Sequence, residues 1–264
     1  MAAARILDVM TEPVLVTRLE RALARAWPAA EVDRMDGWEL RAAGGHTRRA
    51  NSVNPFSPHP ADLVAAVGKC ERWYRERALR PVFRLTPISN PAGLDDRLAS
   101  IGYVEDSGTW VMVGSIPDGD AVETTRSPSE TWLAARGAWS ALSAEYEAAW
   151  KGILHRISGD SVGFGLVATP TGVPAAIGHA VVDGDLVGLY GLIVDPRLRR
   201  RGHGERLSRG LLAWGRERGA TTAYLQVHEP TSAPAMAMYE GKFGMGRAYE
   251  YRYRQAANRQ DAPG

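Results

Sequence analysis

The sequence predicts an α/β protein built as two tandem halves, each a mixed sheet flanked by helices. Three observations lead there. The chain has 264 residues, 45% of them hydrophobic and 23% charged, enough for one large or two modest globular domains. Hydrophobic periodicity gives the first half the order helix, strand, strand, helix, strand, helix, strand, and gives the second half the same order with one more helix. At a constant offset of 141 residues, Trp73, Arg75, Glu76 and Arg77 fall on Trp214, Arg216, Glu217 and Arg218; Val53 and Pro55 fall on Val194 and Pro196; and Phe83 falls on Tyr224. The short polar turn Pro117-Asp118-Gly119-Asp120 separates the halves. The expected domains are therefore 1–116 and 121–255, followed by a flexible tail over 256–264.

Each element has a local reason. Val14, Leu15, Leu19 and Leu23 share helical spacing over 12–27, and Pro28 ends the run. Residues 31–42 and 46–53 read as two strands separated by Gly44 and Gly45. A loop with Pro55, Pro58 and Pro60 leads to a helix over 61–78, a strand from Val82 to Leu85, a short helix after Pro91 and a strand from Tyr103 to Val113. In the second half, helices over 129–142 and 144–157 precede strands over 162–168, 175–182 and 186–194. A helix over 203–218 follows, with Leu207, Leu211 and Trp214 on one buried face. A strand over 222–227, a helix over 232–241 and a strand over 246–254 complete the chain.

Composition removes several function classes. No run approaches the roughly 18–20 apolar residues of a membrane span, and no signal sequence is evident, so a membrane or exported protein is not expected. Cys70 is the one cysteine, which excludes an internal disulfide framework and a cysteine-based zinc site; a reducing cytoplasmic home and no metal are expected. Thirty-two basic residues against 30 acidic ones leave +2, too little to suggest nucleic acid as a partner.

The stretch 186–206, LVGLYGLIVDPRLRRRGHGER, carries the chemistry. An apolar strand exits at Val194-Asp195-Pro196 into a glycine-bearing loop that opens a helix. The first helical N–H groups lack intrahelical partners and the helix dipole adds positive charge there, so this is a phosphate site. Gly202 and Gly204 allow close backbone approach, and Arg199, Arg200 and Arg201 add charge. The dinucleotide fingerprint fails because Leu207 stands where its third glycine belongs, and the nucleotide-hydrolase loop fails because no Gly-Lys-Ser or Gly-Lys-Thr occurs. What remains is the pattern Q/R-x-x-G-x-G/A, met by Arg199, Gly202 and Gly204.

On these residues the second half, over roughly 122–255, resembles the GCN5-related N-acetyltransferases (GNAT), and the loop resembles that family's acetyl-CoA pyrophosphate loop. The resemblance implies a twisted, mostly antiparallel sheet flanked by helices. It implies that the backbone of Leu192, Ile193 and Val194 pairs with the pantetheine arm, and that Arg199, Arg200, Arg201, Gly202, His203, Gly204 and Glu205 hold the pyrophosphate. It makes Tyr239 the catalytic acid that protonates the departing CoA thiolate, and places an N–H near Val194 against the tetrahedral intermediate. Two departures stand out: Ser232 replaces a frequent asparagine, and the Tyr239–Gly244 spacing is one residue longer than usual. The strand Leu189-Tyr190-Gly191-Leu192 also lacks the carboxylate many relatives use as base, which leaves the base open among His228, Glu229, Glu145 and Glu147. Trp139, Tyr146 and Trp150 fall on the helices that wall the family's acceptor site.

The first half resembles the N-terminal copy of bacterial tandem GNAT proteins. Its Val53-Asn54-Pro55 exit leads into FSPHPADLVAAVGK, without the glycine pair or arginines, so it is not expected to bind CoA. The implied function is acetyl-CoA-dependent transfer of an acetyl group to a primary amine of a small molecule, by a monomer or homodimer without nucleic-acid or membrane partners. The alternative is a non-catalytic acyl-CoA-binding sensor.

Overall fold

The computed structural model describes residues 13–56, 60–140, 142–157 and 159–257. The first half contributes α1 (Pro13–Ala26), β1 (Glu31–Met35), β2 (Trp38–Ala42), β3 (Val53–Asn54), α2 (Leu63–Arg75), β4 (Val82–Leu85), α3 (Leu94–Ser100) and β5 (Tyr103–Ser115). The second contributes β6 (Thr124–Thr125), α4 (Glu130–Trp139), α5 (Ala144–Arg156), β7 (Val162–Ala168), β8 (Pro174–Asp183), β9 (Leu186–Val194), α6 (His203–Arg216), β10 (Thr222–His228), α7 (Glu229–Phe243) and β11 (Gly246–Ala256). Residues 258–264 of the expected tail lie outside the described residues, while Ala256 still pairs with Tyr103 at the end of β11.

The strands form one mixed sheet in the order β1-β2-β3-β4-β11-β5-β10-β9-β8-β7-β6. The two halves exchange their last strands. β5 runs antiparallel to β10 from Ser115↔Thr222 to Thr109↔His228, and β11 runs antiparallel to β4 from Leu85↔Arg252 to Val82↔Gln255. β5 and β11 pair with each other at the centre. A buried ion pair pins this junction: Arg84 on β4 donates to both carboxylate oxygens of Glu20 on α1, at 2.9 and 2.7 Å, and the Tyr249 hydroxyl on β11 donates to Glu20 at 2.6 Å.

Side chains alternate across the sheet. Leu189 and Leu225 point to the face covered by α6 and α7, where Leu207, Leu211 and Trp214 pack as their spacing predicts. Tyr190 and Tyr224 point to the other face, under α4, α5 and α1 of the first half. Each fully buried aliphatic or aromatic side chain in these layers contributes about 1.5–3 kcal/mol. Ser129 and Ser143 cap α4 and α5 by accepting from the N–H groups of Trp132 and Tyr146.

The first hairpin departs from the sequence expectation. Residues 31–42 are two strands, because Asp36 (φ 51°) and Gly37 (φ 89°) both take the left-handed conformation of a tight hairpin turn and Met35 pairs with Trp38. The strand expected over 46–53 is not formed. Arg48–Ala50 is a 3₁₀ turn and only Val53 and Asn54 join the sheet. The cause is Asn51, whose side-chain oxygen accepts from the N–H groups of Ala43 and Gly45 at 2.7 and 3.0 Å while its amide donates to the Thr47 carbonyl at 2.8 Å. Side-chain bonds of this kind compete with a strand ladder.

Candidate active site

The site begins where β9 parts from β10. The two strands pair in parallel only from Leu186↔Thr222 to Leu189↔Leu225, so Tyr190–Val194 and Gln226–His228 diverge as the lips of a gap. A bulge enforces the divergence: β8 advances from Ile177 to His179 while β9 retreats from Ile193 to Tyr190, leaving one extra residue on β9. Gly191 takes φ 58° at this point, a left-handed conformation that glycine adopts without strain.

Beyond Val194 the chain turns sharply. The buried Asp195 carboxylate accepts from the Arg197 N–H at 2.9 Å and from its guanidinium at 3.0 and 2.7 Å, which holds the acid below the usual carboxylate range. Arg200 (φ 62°) and Gly202 (φ 81°) fold the loop back so that α6 starts at His203. The first helical bond runs from Arg206 N–H to the Gly202 carbonyl at 2.9 Å. The N–H groups of His203, Gly204 and Glu205 therefore have no carbonyl partner within the helix. A Cβ on Gly204 would stand 3.1 Å from Val194 Cγ2, so glycine lets the helix end close on the strand; a Cβ on Gly202 would meet nothing within 4 Å, and the demand there is for positive φ.

These parts line a cleft of about 1100 Å³ between the β9 exit, the start of α6 and one face of α7. Nine of the ten residues expected to contact cofactor border it: Leu192, Ile193, Val194, Arg199, Arg200, Gly202, His203, Gly204 and Glu205. Arg201 does not; it is exposed beside the loop. Opposite them α7 kinks at Ser232 (φ −132°, ψ 22°) and resumes with Pro234 in its new first turn, where the missing proline N–H costs nothing. Tyr239 lies one turn further along, only 4% exposed, with its hydroxyl 3.1 Å from Ser208 Oγ of α6. Burial pushes its phenol up to about 12, so it stays protonated at neutral pH. The added residue in the Tyr239–Gly244 spacing is absorbed at the helix end, where Gly244 (φ 62°) reverses the chain and Met245 N–H caps the Tyr239 carbonyl at 3.1 Å.

Two polar residues of this cleft escaped the sequence reading. Ser208 follows Gly204 by one helical turn, so the spacing that puts Gly204 in the cleft also puts Ser208 there. Lys242 Nζ lies 2.5 Å from the Glu205 carboxylate, which also accepts from Arg209 Nε at 3.2 Å. The hydrogen bond from Lys242 leads the effects that lower the Glu205 pKa.

A second, smaller cavity of about 320 Å³ takes its wall from the other lip of the gap, Gln226 and His228 on β10. Thr109 of β5, Tyr251 and Tyr253 of β11 and the Thr47–Arg49 turn complete it. Of the residues considered as base, His228 is here, Glu145 and Glu147 are exposed on α5 with Glu147 paired to Lys151 at 2.7 Å, and the Glu229 side chain lies outside the described residues. Trp139, Tyr146 and Trp150 do not share a face. Trp150 is buried against Trp132 with ring centroids 6.0 Å apart, Trp139 packs on the core, and Tyr146 is exposed beside His46. Among the described residues, no group of three or more His, Cys, Asp or Glu side chains is placed to hold a metal ion, and no helix is long and apolar enough to cross a membrane.

A strand pair that splays beside a glycine-bearing turn opening a helix is the architecture of the GNAT acyltransferases, and solved structures share the whole fold. A GCN5-related N-acetyltransferase from Kribbella flavida superposes with a TM-score of 0.65 at 16% identity, over 91% of this chain and 95% of that one. A tandem GNAT protein from the clavulanic acid biosynthesis pathway gives 0.59 at 12% identity, over 97% and 95%. The family model described as probable histone acetyltransferase Rv0428c C-terminal matches residues 15–254. The chain belongs to this family and is a GNAT-type N-acetyltransferase. Among curated relatives, the uncharacterized N-acetyltransferase YobR of Bacillus subtilis (strain 168) is 28% identical over 248 residues, covering 90% of this chain and 98% of the relative. The probable histone acetyltransferase Rv0428c of Mycobacterium tuberculosis is 30% identical over 239 residues, covering 88% and 72%.

Proposed function

We propose that the chain transfers the acetyl group of acetyl-CoA to the primary amine of a small molecule, with residues 121–255 as the catalytic half and residues 1–116 as a copy that does not bind CoA. The observation that carries this reading is the convergence of the strand end, the glycine-bearing helix start and Tyr239 on one cleft. In this reading the three free N–H groups of α6, with Arg199 and Arg200, hold the pyrophosphate, and the unpaired edge of Leu192–Val194 holds the pantetheine arm. The thioester then lies at the gap. The amine nitrogen attacks its carbonyl carbon from the side of the smaller cavity, an N–H at the β9 edge stabilises the developing oxyanion, and the C–S bond breaks to give amide and CoA. His228, on the lip of the gap, takes the proton leaving the amine. Tyr239 donates a hydrogen bond to the departing sulfur. With its phenol near 12 and a thiol's ordinary value near 8.5, that bond stabilises the thiolate without full proton transfer.

A small acceptor is favoured over a lysine-rich protein tail because the charged side chains on the smaller cavity are Arg48 and Arg49, and no carboxylate lines it. Calorimetric titration with acetyl-CoA, CoA and NAD, followed by thiol release across an amine panel, tests the reading. Acetyl-CoA binding without NAD binding, together with amine-dependent thiol release, is expected. Absence of acetyl-CoA binding overturns the assignment, and binding without transfer marks a sensor.

A further inference from the structure

One of the places where the repeat that relates the halves breaks down faces the gap. At the 141-residue offset, residues 43–53 correspond to 184–194, the turn and strand that build the cofactor side. In the first half this segment is folded into the Asn51-knotted turn instead, and Trp27 Nε1 fastens it by donating to Thr47 Oγ1 at 2.9 Å. The turn sets Arg48 and Arg49 over the smaller cavity.

The two arginines differ in what surrounds them. Arg48 pairs with Asp106 and lies 4.9 Å from the Tyr253 ring. Arg49 is half-buried, with its guanidinium 5.0 Å from the Trp27 ring and 5.9 Å from the Tyr190 ring, and among the described residues it makes neither an ion pair nor a hydrogen bond. Two carboxylates share a narrow crevice with it, Glu20 and Glu39, and both are taken, by Arg84 and Arg41. A partly desolvated guanidinium with no counter-charge is costly to keep, and its planar fork of N–H donors suits a carboxylate or phosphate in two-point contact. Beside His228, the wall also offers neutral hydrogen-bonding groups, among them Thr109, Gln226 and the Tyr251 hydroxyl, the last already donating to Gln226 at 2.7 Å.

We propose that the smaller cavity is the acceptor subsite for an amine that also carries an anionic group, and that Arg49 from the first half anchors the anion. The inference rests on the acetyl-transfer reading and names the class of its substrate. The shared chemistry is two or three anionic oxygens a short distance from a primary amine, and carboxylate and phosphate are its two sources. An amine without an anion places its own positive charge near Arg49 before it loses a proton, with nothing to offset the repulsion.

The test uses matched pairs with the full-length protein: phenylalanine against phenethylamine for the carboxylate, and phosphoethanolamine against ethanolamine for the phosphate. Thiol release is expected to favour the anionic member of at least one pair by about tenfold or more in kcat/KM, mostly through KM, since a charge-assisted two-point contact is worth that much. Which pair responds identifies the anion. Arg49→Ala is expected to bring the ratio to about one while acetyl-CoA affinity and melting temperature stay as in the unmodified protein, and Arg49→Lys to keep part of it. Equal kcat/KM within both pairs, or a preference that survives Arg49→Ala, overturns the proposal. Calorimetry of phosphoethanolamine and phenylalanine against their neutral counterparts, without cofactor, separates the two layers. If acetyl-CoA fails to bind, the transfer reading falls, whereas Arg49-dependent anion binding still upholds the subsite and its absence removes it.

Discussion

His179 makes the stability of the protein sensitive to acid, and its substitution isolates the effect. The ring sits on β8 opposite Tyr190, 1% exposed, stacked among Phe164, Tyr190 and Trp27 at centroid distances of 5.1, 5.5 and 6.0 Å. Neither ring nitrogen has a hydrogen-bond partner. Burial, reinforced by the nearby positive charge of Arg49, lowers its pKa from 6.5 to about 3. The folded value lies below the unfolded one, so the unfolded chain takes up the proton first as pH falls. The contribution is complete above about pH 6.5 and is lost progressively down to about pH 3. At 1.36 kcal/mol per unit, the loss is about 2 kcal/mol by about pH 5 and about 5 kcal/mol in full. His179→Leu keeps a similar volume, removes the titration and removes two orphaned nitrogens, which offsets the lost ring stacking, so near-neutral stability is expected to change little. The assay is urea unfolding followed by circular dichroism at about pH 7.5 and about pH 5 for both proteins. The unmodified protein should lose about 2 kcal/mol more than the variant between the two conditions, equivalent to roughly 4–8 °C in melting temperature. Equal losses in the two proteins would refute the reasoning, because other titrating groups cancel in the double difference.

Three further substitutions probe the cleft. Gly202→Val forces a β-branched residue to φ 81°, at about 1–2 kcal/mol or more; acetyl-CoA affinity should fall at least about tenfold by calorimetry, and unchanged affinity would remove the loop from the site. Tyr239→Phe removes the hydroxyl 3.1 Å from Ser208; kcat should drop by about 10²-fold or more with acetyl-CoA affinity nearly constant, and an undiminished kcat would leave Tyr239 a packing residue. Glu205→Gln withdraws the carboxylate that engages Lys242 and Arg209 at the α6 end of the cleft. Acetyl-CoA affinity should rise by about three- to tenfold while stability falls by about 0.3–1 kcal/mol through the helix dipole, and a weaker Kd would show that the carboxylate positions the ligand.

The candidate site was read from the sequence by local rules. A strand, a glycine-bearing turn and a helix start are contiguous, so Arg199–Gly204 could be proposed as a phosphate cradle from spacing alone; the structure brings nine of the ten expected residues to one cleft and leaves out Arg201. Ser208 and Lys242 obey the same helical spacing as their neighbours, yet neither residue type stands out until the facing helix is placed. The strand expected over 46–53 illustrates the opposite case. Its pattern matches a strand in the second half, but Asn51 satisfies three backbone groups locally and the chain folds on itself. Asp36-Gly37 is a strong hairpin signal that the conspicuous glycine pair at 44 and 45 overshadowed. The exchange of β5 and β11 left no local trace, since either strand is equally apolar and equally alternating against its own half or the other.

That exchange is what makes the smaller cavity possible. Without it β10 would be flanked on its outer side by a strand of its own half, and the cavity floor would come from one copy. With it, Thr109 arrives on the last strand of the first half and Tyr251 and Tyr253 on the last strand of the second, side by side under the Thr47–Arg49 turn. The same segment of the repeat then serves two purposes. In the second half it is a bulged strand whose free edge faces the larger cleft; in the first half it is a turn that reaches across the exchanged strands to the far side of the same gap. The first copy has no glycine-bearing loop after Pro55, and its backbone at 48–50 is a 3₁₀ turn that places Arg49 5.9 Å from the Tyr190 ring of the second half. On the proposed reading the division of labour follows from the pairing: one copy would present the thioester, and the other a charge to what attacks it.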